Sequence, residues 1–270
     1  MLTILGLRRS THYARVRRQP EQERTEADRA LVGSFQQVRS EHLSWGFELL
    51  YAHLRYQRGQ FFCKKRAHRL YKQAGMSLHR TPQKPRTKRD YQALLPAATI
   101  NEGWALDFVS EQVINQGDSH EWVRAINVID ECSRRSLWVE ACKNIKANKL
   151  VEILDNLLAM RGKPAYIRTD NGPEFISDKL KEWTQAHGVE HRFIQAGKPT
   201  QNGLVERLNG TLRRECLNLN WFDSIQELNQ YLEEWYQSYN FERPHSALGY
   251  VTPAQFELNN PNLYFKVVTP

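Results

Sequence analysis

The chain has 270 residues, of which 40% are hydrophobic and 25% charged, so it can bury a sizeable core in one large or two modest domains. No apolar run approaches the roughly 18 residues that a membrane helix needs, and no secretion signal is recognisable, so we expect a cytoplasmic protein without a membrane partner. The four cysteines are scattered and form no C-x-x-C pair, which argues against a disulfide framework and against a zinc site.

Charge is distributed unevenly along the chain. Residues 1–90 contain 20 Lys and Arg against 7 Asp and Glu, whereas the remaining 180 residues contain 18 against 23. The front part is therefore strongly basic and the rear part slightly acidic, which favours a polyanion-binding region joined to an ordinary domain. A basic surface that is merely solvated is equally compatible with these numbers.

The front part is predicted to be helical. Apolar residues spaced three or four apart predict helices over residues 21–42, 44–57 and 63–75, with Gly59 and Gly75 ending the last two. Two short helices joined by a glycine-containing turn, the second of them basic, are typical of a helix-turn-helix module. A small helical bundle with a charged face has the same periodicity, so this alternative stays open.

Residues 1–76 are accordingly predicted to form a small all-α DNA-binding domain. Its candidate DNA contacts are the basic side chains of the last helix: Lys64, Lys65, Arg66 and Arg69. Residues 77–99 are rich in Pro, Lys and Arg without an apolar period, which predicts an extended linker that could follow a nucleic-acid backbone.

From residue 100 the pattern changes to strands and helices, which predicts an α/β domain over residues 100–262 and a short tail over 263–270. Three strands rich in Val, Ile, Trp and Phe come first, and helices then alternate with two more strands. This order predicts an α/β/α sandwich around a five-stranded mixed sheet. The strands are predicted over 104–114, 121–131, 135–142, 165–169 and 189–194, and the helices over about 146–161, 178–187, 203–217 and 224–239.

Three acidic residues in this domain are candidate metal ligands. Asp107 lies among apolar residues in the first strand, Asp170 ends the fourth strand, and Glu206 opens a helix. A buried carboxylate needs a metal or a cation, and Asp107 could pair with Arg134 or Arg168 instead of a metal. Three acids that converge from two strands and a helix would suit Mg²⁺, which prefers oxygen ligands.

The spacing of two of these acids leads to a family resemblance. There are 35 residues between Asp170 and Glu206, the D,D(35)E spacing of retroviral integrases and many bacterial transposases. The chain closely resembles the second-reading-frame product of insertion-sequence transposases, with the IS-three type as the nearest group. Five blocks carry the resemblance: WALDFVSE, VIDECSR, RGKPAYIRTDNGPEF, QAGKPTQNGLVERLNGTLRREC and YNFERPHSALGYVTPAQF.

The resemblance implies a ribonuclease-H-like catalytic core in which Asp107, Asp170 and Glu206 bind two Mg²⁺ or Mn²⁺ ions. Glu174, in the same TDNGPEF turn as Asp170, is then left out of the ligand set. The implied reaction is cleavage at the ends of an insertion element, followed by attack of the freed 3′-hydroxyl on a second DNA strand. By the same resemblance, three further residues are candidate DNA contacts: Lys198, Asn209 and Arg213.

Implied partners are double-stranded DNA, other copies of the chain and an upstream-frame transposase product, in a bacterial, nucleoid-associated setting. The first residues, MLTILGLRRSTHYARVRR, resemble the middle of a fused transposase, downstream of its main end-binding domain. A non-catalytic DNA-binding regulator or remnant therefore stays an alternative. A ribonuclease-H-type nuclease, which shares the fold and the metals, is another.

Overall fold

The helical pattern of the first 80 residues and the strand pattern after residue 100 belong to two separate units, Met1–Arg80 and Thr81–Pro270. The computed structural model describes residues 21–79, 97–115, 119–195 and 202–265. Most of the predicted linker and of the predicted tail lies outside these residues. Within them, no helix combines the length and the apolar character that crossing a bilayer requires.

The three helices predicted for the front part are confirmed. They are α1 (Glu21–Glu41), α2 (Phe47–Ala52), which continues as a π-helical turn over His53–Gln57, and α3 (Lys64–Gln73). Helix α2 begins three residues later than predicted because His42 and Trp45 form a turn. The Trp45 N–H donates to the His42 carbonyl, and the two rings stack at 3.7 Å, with Trp45 almost fully buried.

The helical unit has its own apolar core around Phe35 of α1, Leu50 of α2 and Leu70 of α3. Gly59 and Gly75 have φ of +63° and +67°, a left-handed conformation that glycine adopts without strain, so both end their helices as predicted. Residues 58–63 connect α2 to α3 and are longer than the turn of about three to four residues of a helix-turn-helix motif. The helix-turn-helix interpretation therefore stays a prediction.

The second unit is built on a five-stranded mixed sheet in the order β3-β2-β1-β4-β5. Strand β1 pairs antiparallel with β2 and parallel with β4, β2 pairs antiparallel with β3, and β4 pairs parallel with β5. The strands are β1 (Gly103–Asn115), β2 (Ser119–Asp130), β3 (Ser136–Cys142), β4 (Tyr166–Thr169) and β5 (Glu190–Phe193).

Helices cover both faces of this sheet. They are α4 (Ala147–Arg161), α5 (Asp178–His187), α6 (Gly203–Glu215), α7 (Ile225–Gln237) and the short α8 (Pro253–Asn259). Because side chains alternate along a strand, Ala105 and Val109 of β1 pack with α6 and α7, whereas Trp104 and Leu106 pack with α4 and α5. The result is a ribonuclease-H-like α/β/α sandwich, which confirms the predicted fold class.

Candidate active site

Parallel pairing of β1 with β4 brings Asp107 and Asp170 to the same part of the sheet. The register aligns Ala105 with Arg168, and the two acids lie two residues further along the same two chains. Because parallel neighbours run in the same direction, both acids come to lie where β4 ends. The two carboxylates are also close enough to interact electrostatically, since the negative charge of Asp170 raises the pKa of Asp107.

The carboxylate of Asp107 is partly buried and held at both oxygens. Its Oδ1 accepts the backbone N–H of Phe108 at 2.8 Å, and its Oδ2 accepts the side-chain amide of Asn209 at 2.8 Å. Burial raises the pKa of Asp107 to about 6, and the negative charges of Asp170 and Glu206 add to the increase, while both hydrogen bonds oppose it. The site thus concentrates negative charge around a carboxylate that is poorly solvated.

Asp170 is held by the turn that the sequence TDNGPEF predicts. The backbone N–H of Gly172 donates to Asp170 Oδ1 at 2.9 Å, and the side-chain amide of Asn171 donates to the carbonyl of Ile194, just after β5, at 3.2 Å. A Cβ at position 172 would lie 3.1 Å from Asp170 Oδ1, so glycine permits the close approach of this turn to the acid. The predicted turn is confirmed, and it fixes the orientation of Asp170.

Glu206 lies in the first turn of α6, between two asparagines that attach this helix to β1. Asn202, just before the helix, donates to the Leu106 carbonyl at 3.3 Å, and Asn209, one turn after Glu206, donates to Asp107. Both contacts hold the first turns of α6 beside the acid of β1. Glu206 remains exposed, although partial desolvation of its carboxyl group raises its pKa.

Asn127 of β2 is a part of the site that sequence reasoning missed. It is opposite Asp107 in the β1–β2 register and fully buried, and its amide donates to Asn209 Oδ1 at 2.7 Å. The bond fixes the side-chain orientation in which Asn209 donates to Asp107. In the sequence, Asn127 could have been found as the one amide residue in the apolar strand segment AINVI.

The chemistry of the three acids (Asp107, Asp170 and Glu206) fits a divalent cation. Of the ion pairs formed by the described residues, none includes any of the three. Arg168, an alternative partner considered for Asp107, instead pairs with Glu131 at 2.9 Å, and Arg134 donates to the Glu131 carbonyl. In this part of the chain no three His, Cys, Asp or Glu side chains converge closely enough to enclose an ion. Two properties therefore make the three acids suitable for a divalent cation. They offer carboxylate oxygens, and their negative charges repel one another, which a bound cation would relieve.

The predicted DNA contacts of the second unit have different surroundings. Lys198 lies outside the described residues. Asn209 is buried, and its amide is engaged by Asp107 and Asn127. Arg213 is exposed in the last turn of α6, where its guanidinium donates to the Ser110 carbonyl at 2.7 Å. Contact with DNA stays a prediction for all three predicted residues.

The basic residues of α3 lie at the surface of the helical unit: Lys64, Lys65, Arg66 and Arg69. Three of them have acidic partners within the unit. Arg66 and Arg69 approach Asp28 at 2.5 and 3.9 Å, and Lys64 approaches Glu48 at 2.7 Å. All three pairs have at least partial access to water and are therefore weak, so a phosphate backbone could replace the acids at small cost. Their role as DNA contacts also stays a prediction.

A ribonuclease-H-like sheet with acids at the D,D(35)E spacing defines a class of protein, the DDE polynucleotidyl transferases. Comparisons with known proteins agree. The integrase core domain family matches residues 98–199, and a second integrase core domain family matches residues 187–253.

The chain is 34% identical to the insertion element IS407 uncharacterized 31.7 kDa protein of Burkholderia multivorans, over 94% of this chain and 87% of that protein. It is equally identical to the insertion element IS476 uncharacterized 39.2 kDa protein of Xanthomonas euvesicatoria, over 89% and 71%. The putative transposase InsD for insertion element IS2E of Escherichia coli is 24% identical over 71% and 89%. The HTLV-2 integrase catalytic core domain is 22% identical, with a TM-score of 0.43 over 61% of this chain and 99% of that one. The chain belongs to the integrase core family and is a transposase of the DDE type.

Proposed function

We propose that the protein cuts DNA at the ends of an insertion element and joins the freed 3′-hydroxyl to another DNA strand, using the three acids. One observation carries this proposal. Asp107 and Asp170 lie on neighbouring parallel strands beside the helix of Glu206, near enough to raise the pKa of Asp107, and none of the three has a cationic partner among the described residues. Elsewhere in the unit, the two buried glutamates, Glu131 and Glu257, are paired with arginines.

The three acids would hold Mg²⁺ or Mn²⁺, and we expect two ions. Bound divalent cations would lower the pKa of the attacking oxygen and offset the negative charge that develops on the phosphate. Asn209 keeps Asp107 oriented by donating to its Oδ2. Gly172 donates to Oδ1 of Asp170 and no described residue donates to Oδ2, so Oδ2 would be available to a metal.

The DNA itself would be contacted outside the acids. Arg213 lies on the same helix as Glu206 and close to β1, and Lys198 belongs to the segment that precedes this helix. The basic helix α3 would neutralise DNA phosphates, which would make binding strongly dependent on salt. We further propose that copies of the chain work together on paired element ends, with an upstream-frame product as an additional partner, in the bacterial nucleoid.

The test is a strand-transfer assay with labelled element-end DNA and Mg²⁺. Wild-type protein should yield joined products, and the Glu206→Gln variant should not, because the amide removes one negative ligand without changing the size of the side chain. Glu182→Gln is the matched control, since Glu182 is an exposed helical glutamate on α5, on the other face of the sheet. It should join DNA at the wild-type rate.

Other outcomes would replace the proposal with a specific alternative. DNA that is retarded but never cut by the wild-type protein would indicate a DNA-binding regulator. Cleavage without joining would indicate a nuclease. Joining that survives in Glu206→Gln would refute the role of this acid while leaving transposition intact.

A further inference from the structure

An arginine of β2 reaches across the sheet to the turn that carries Asp170. Arg124 is aligned with Ser110 of β1, and its guanidinium forms an ion pair with Glu174, which follows β4. Strand β1 lies between β2 and β4, so the Arg124 side chain spans it. The pair thus connects two segments that flank the strand of Asp107.

Two aromatic rings fill the space beneath this ion pair. The Arg124 guanidinium carbon lies 4.2 Å from the centre of the Phe108 ring, and the Phe108 ring stacks on Phe175 with centres 4.9 Å apart and planes at 19°. Phe108 directly follows Asp107, and Phe175 directly follows Glu174. We name these four residues, Arg124, Glu174, Phe108 and Phe175, the Arg124 brace.

The brace is continuous with the turn that holds Asp170. Gly172 donates its N–H to Asp170 Oδ1 and accepts the N–H of Phe175 at 2.9 Å. A Cβ on Gly172 would lie 3.5 Å from Glu174 Oε2 and 3.1 Å from Asp170 Oδ1, so both carboxylates lie close to Gly172. Glu174 thus packs against the residue whose N–H orients Asp170.

The ion pair also neutralises the negative charge of a fourth carboxylate, Glu174, near the three acids. Glu174 is only 16% exposed, and its Oε2 is buried without a hydrogen-bond partner among the described residues. Its other oxygen binds Arg124, and this interaction lowers the pKa of Glu174 against the effect of burial. Arg124 thus offsets a negative charge that would otherwise add to the repulsion around Asp170.

We propose that Arg124 and Glu174 are positioning residues for Asp170. They fix the Asp170 turn through the brace and keep Glu174 from competing with the three acids for a cation. The catalytic consequence rests on the proposed function, but the orientation of the turn does not. Arg124 and Glu174 are 36% and 16% exposed, so breaking their ion pair leaves neither side chain fully buried. Breaking this pair should therefore change the turn without unfolding the protein.

The first experiment needs neither metal nor DNA. Hydrogen–deuterium exchange of the full chain, with EDTA present, is measured for wild type, Glu174→Gln, Arg124→Met and the double variant. Methionine keeps an apolar stem over Phe108. Amides of residues 170–176 should exchange faster in both single variants, while the remaining amides and the melting temperature stay near wild type. The double variant should lose no more protection than either single one, because the two residues act as one pair.

Glu121→Gln is the matched control. Glu121 is on the same strand as Arg124, is 25% exposed and pairs with Lys143 at 2.6 Å. Its substitution removes a comparable carboxylate charge away from the Asp170 turn. Unchanged exchange at residues 170–176 in Glu174→Gln would overturn the proposal, and so would faster exchange spread over the whole unit with a lower melting temperature.

The second experiment measures strand transfer as a function of Mg²⁺ concentration. Glu174→Gln and Arg124→Met should be slower by on the order of 10- to 100-fold, and should need more Mg²⁺ for half-maximal rate, with affinity for element-end DNA unchanged. Wild-type rates and metal dependence in these variants would refute the catalytic part. A wild-type protein that joins no DNA would refute the proposed function instead, and the exchange data would still decide whether the brace orients the turn.

Discussion

Two groups of acids in the same α/β unit differ in what neutralises them. In the first group, Glu131 accepts Arg168 at 2.9 Å, and Glu257 of α8 accepts Arg135 at 2.7 Å and Arg161 at 2.6 Å. Both glutamates are almost completely buried. Strand β4 supplies the cation for Glu131, and the residue before β3 together with the last residue of α4 supplies the two cations for Glu257.

The second group is the three acids of the candidate site. Asp107 and Asp170 accept hydrogen bonds from an amide and from backbone N–H groups. None of the three acids pairs with a cationic side chain of the described residues, and burial together with mutual repulsion raises the pKa of Asp107. The fold therefore supplies arginines to Glu131 and Glu257 but none to the three acids of the site, where a cation from outside can bind. The comparison predicts opposite responses to the same kind of substitution.

The largest expected effect is the loss of catalysis in Asp107→Asn. Metal-based charge stabilisation contributes several kcal/mol to such reactions, so strand transfer should fall by about 1,000-fold or more. The asparagine loses one accepted hydrogen bond but also removes a buried, repelled negative charge, so the melting temperature near neutral pH should not fall. Single-turnover rates on element-end DNA, with circular dichroism of the same samples, check both statements. A variant that is inactive because it is unfolded would contradict the comparison.

Breaking the compensated group should instead unfold the unit. Arg168→Met leaves Glu131 buried without its cation, which should cost about 3–5 kcal/mol of unfolding free energy, measured by urea denaturation. The double variant Glu131→Gln/Arg168→Met removes both charges and should recover part of this loss. If Arg168→Met costs less than about 1 kcal/mol, the pair is not needed for stability.

The uncompensated group should also leave a signature in the pH dependence of stability. The pKa of Asp107 is raised from 3.8 to about 6 in the folded protein. The contribution of the Asp107 carboxyl group to stability is therefore fully present below about pH 4 and is lost as the pH rises through about 6. In EDTA, Asp107→Asn should be more stable than wild type by at most about 3 kcal/mol near pH 8, and equally stable near pH 4. An equal difference at both pH values would contradict uncompensated charge as its source.

The smallest effect is expected at the buried amide behind the site. Asn127→Ala removes the donor to Asn209 Oδ1 and frees the amide that orients Asp107. A cost of about 1–3 kcal/mol in stability and about a tenfold lower strand-transfer rate should follow. Asn156→Ala, at an exposed position of α4, is the control and should change neither. A wild-type rate in Asn127→Ala would show that Asn209 is oriented without it.

The sequence predicted the sheet because each strand carries its own local signal. Alternation along β1, the Asn-Gly-Pro turn after β4 and the glycine ends of α2 and α3 are all short-range features, and the structure has them. The second predicted helix began too early because the stacking of His42 on Trp45 is a side-chain contact that periodicity does not reveal.

The supporting contacts of the site could not be predicted from local pattern. Asn127 and Asn209 are 82 residues apart in the chain, and Arg124 and Glu174 are 50 apart. Such contacts depend on strand order and register, and a shift of one residue would turn Asn127 to the other face. The acids could be identified in the sequence because they have the D,D(35)E spacing of the family. No such spacing identifies the residues that orient these acids.

The location of bound metal tests the central claim most directly. Crystals of the full chain with element-end DNA, soaked in Mn²⁺, would be examined for anomalous difference density at the manganese edge. The uncompensated acids predict density between the carboxylates of Asp107, Asp170 and Glu206, absent from crystals of Asp107→Asn. Density elsewhere in the unit, or density at the three acids that persists unchanged in Asp107→Asn, would contradict the account.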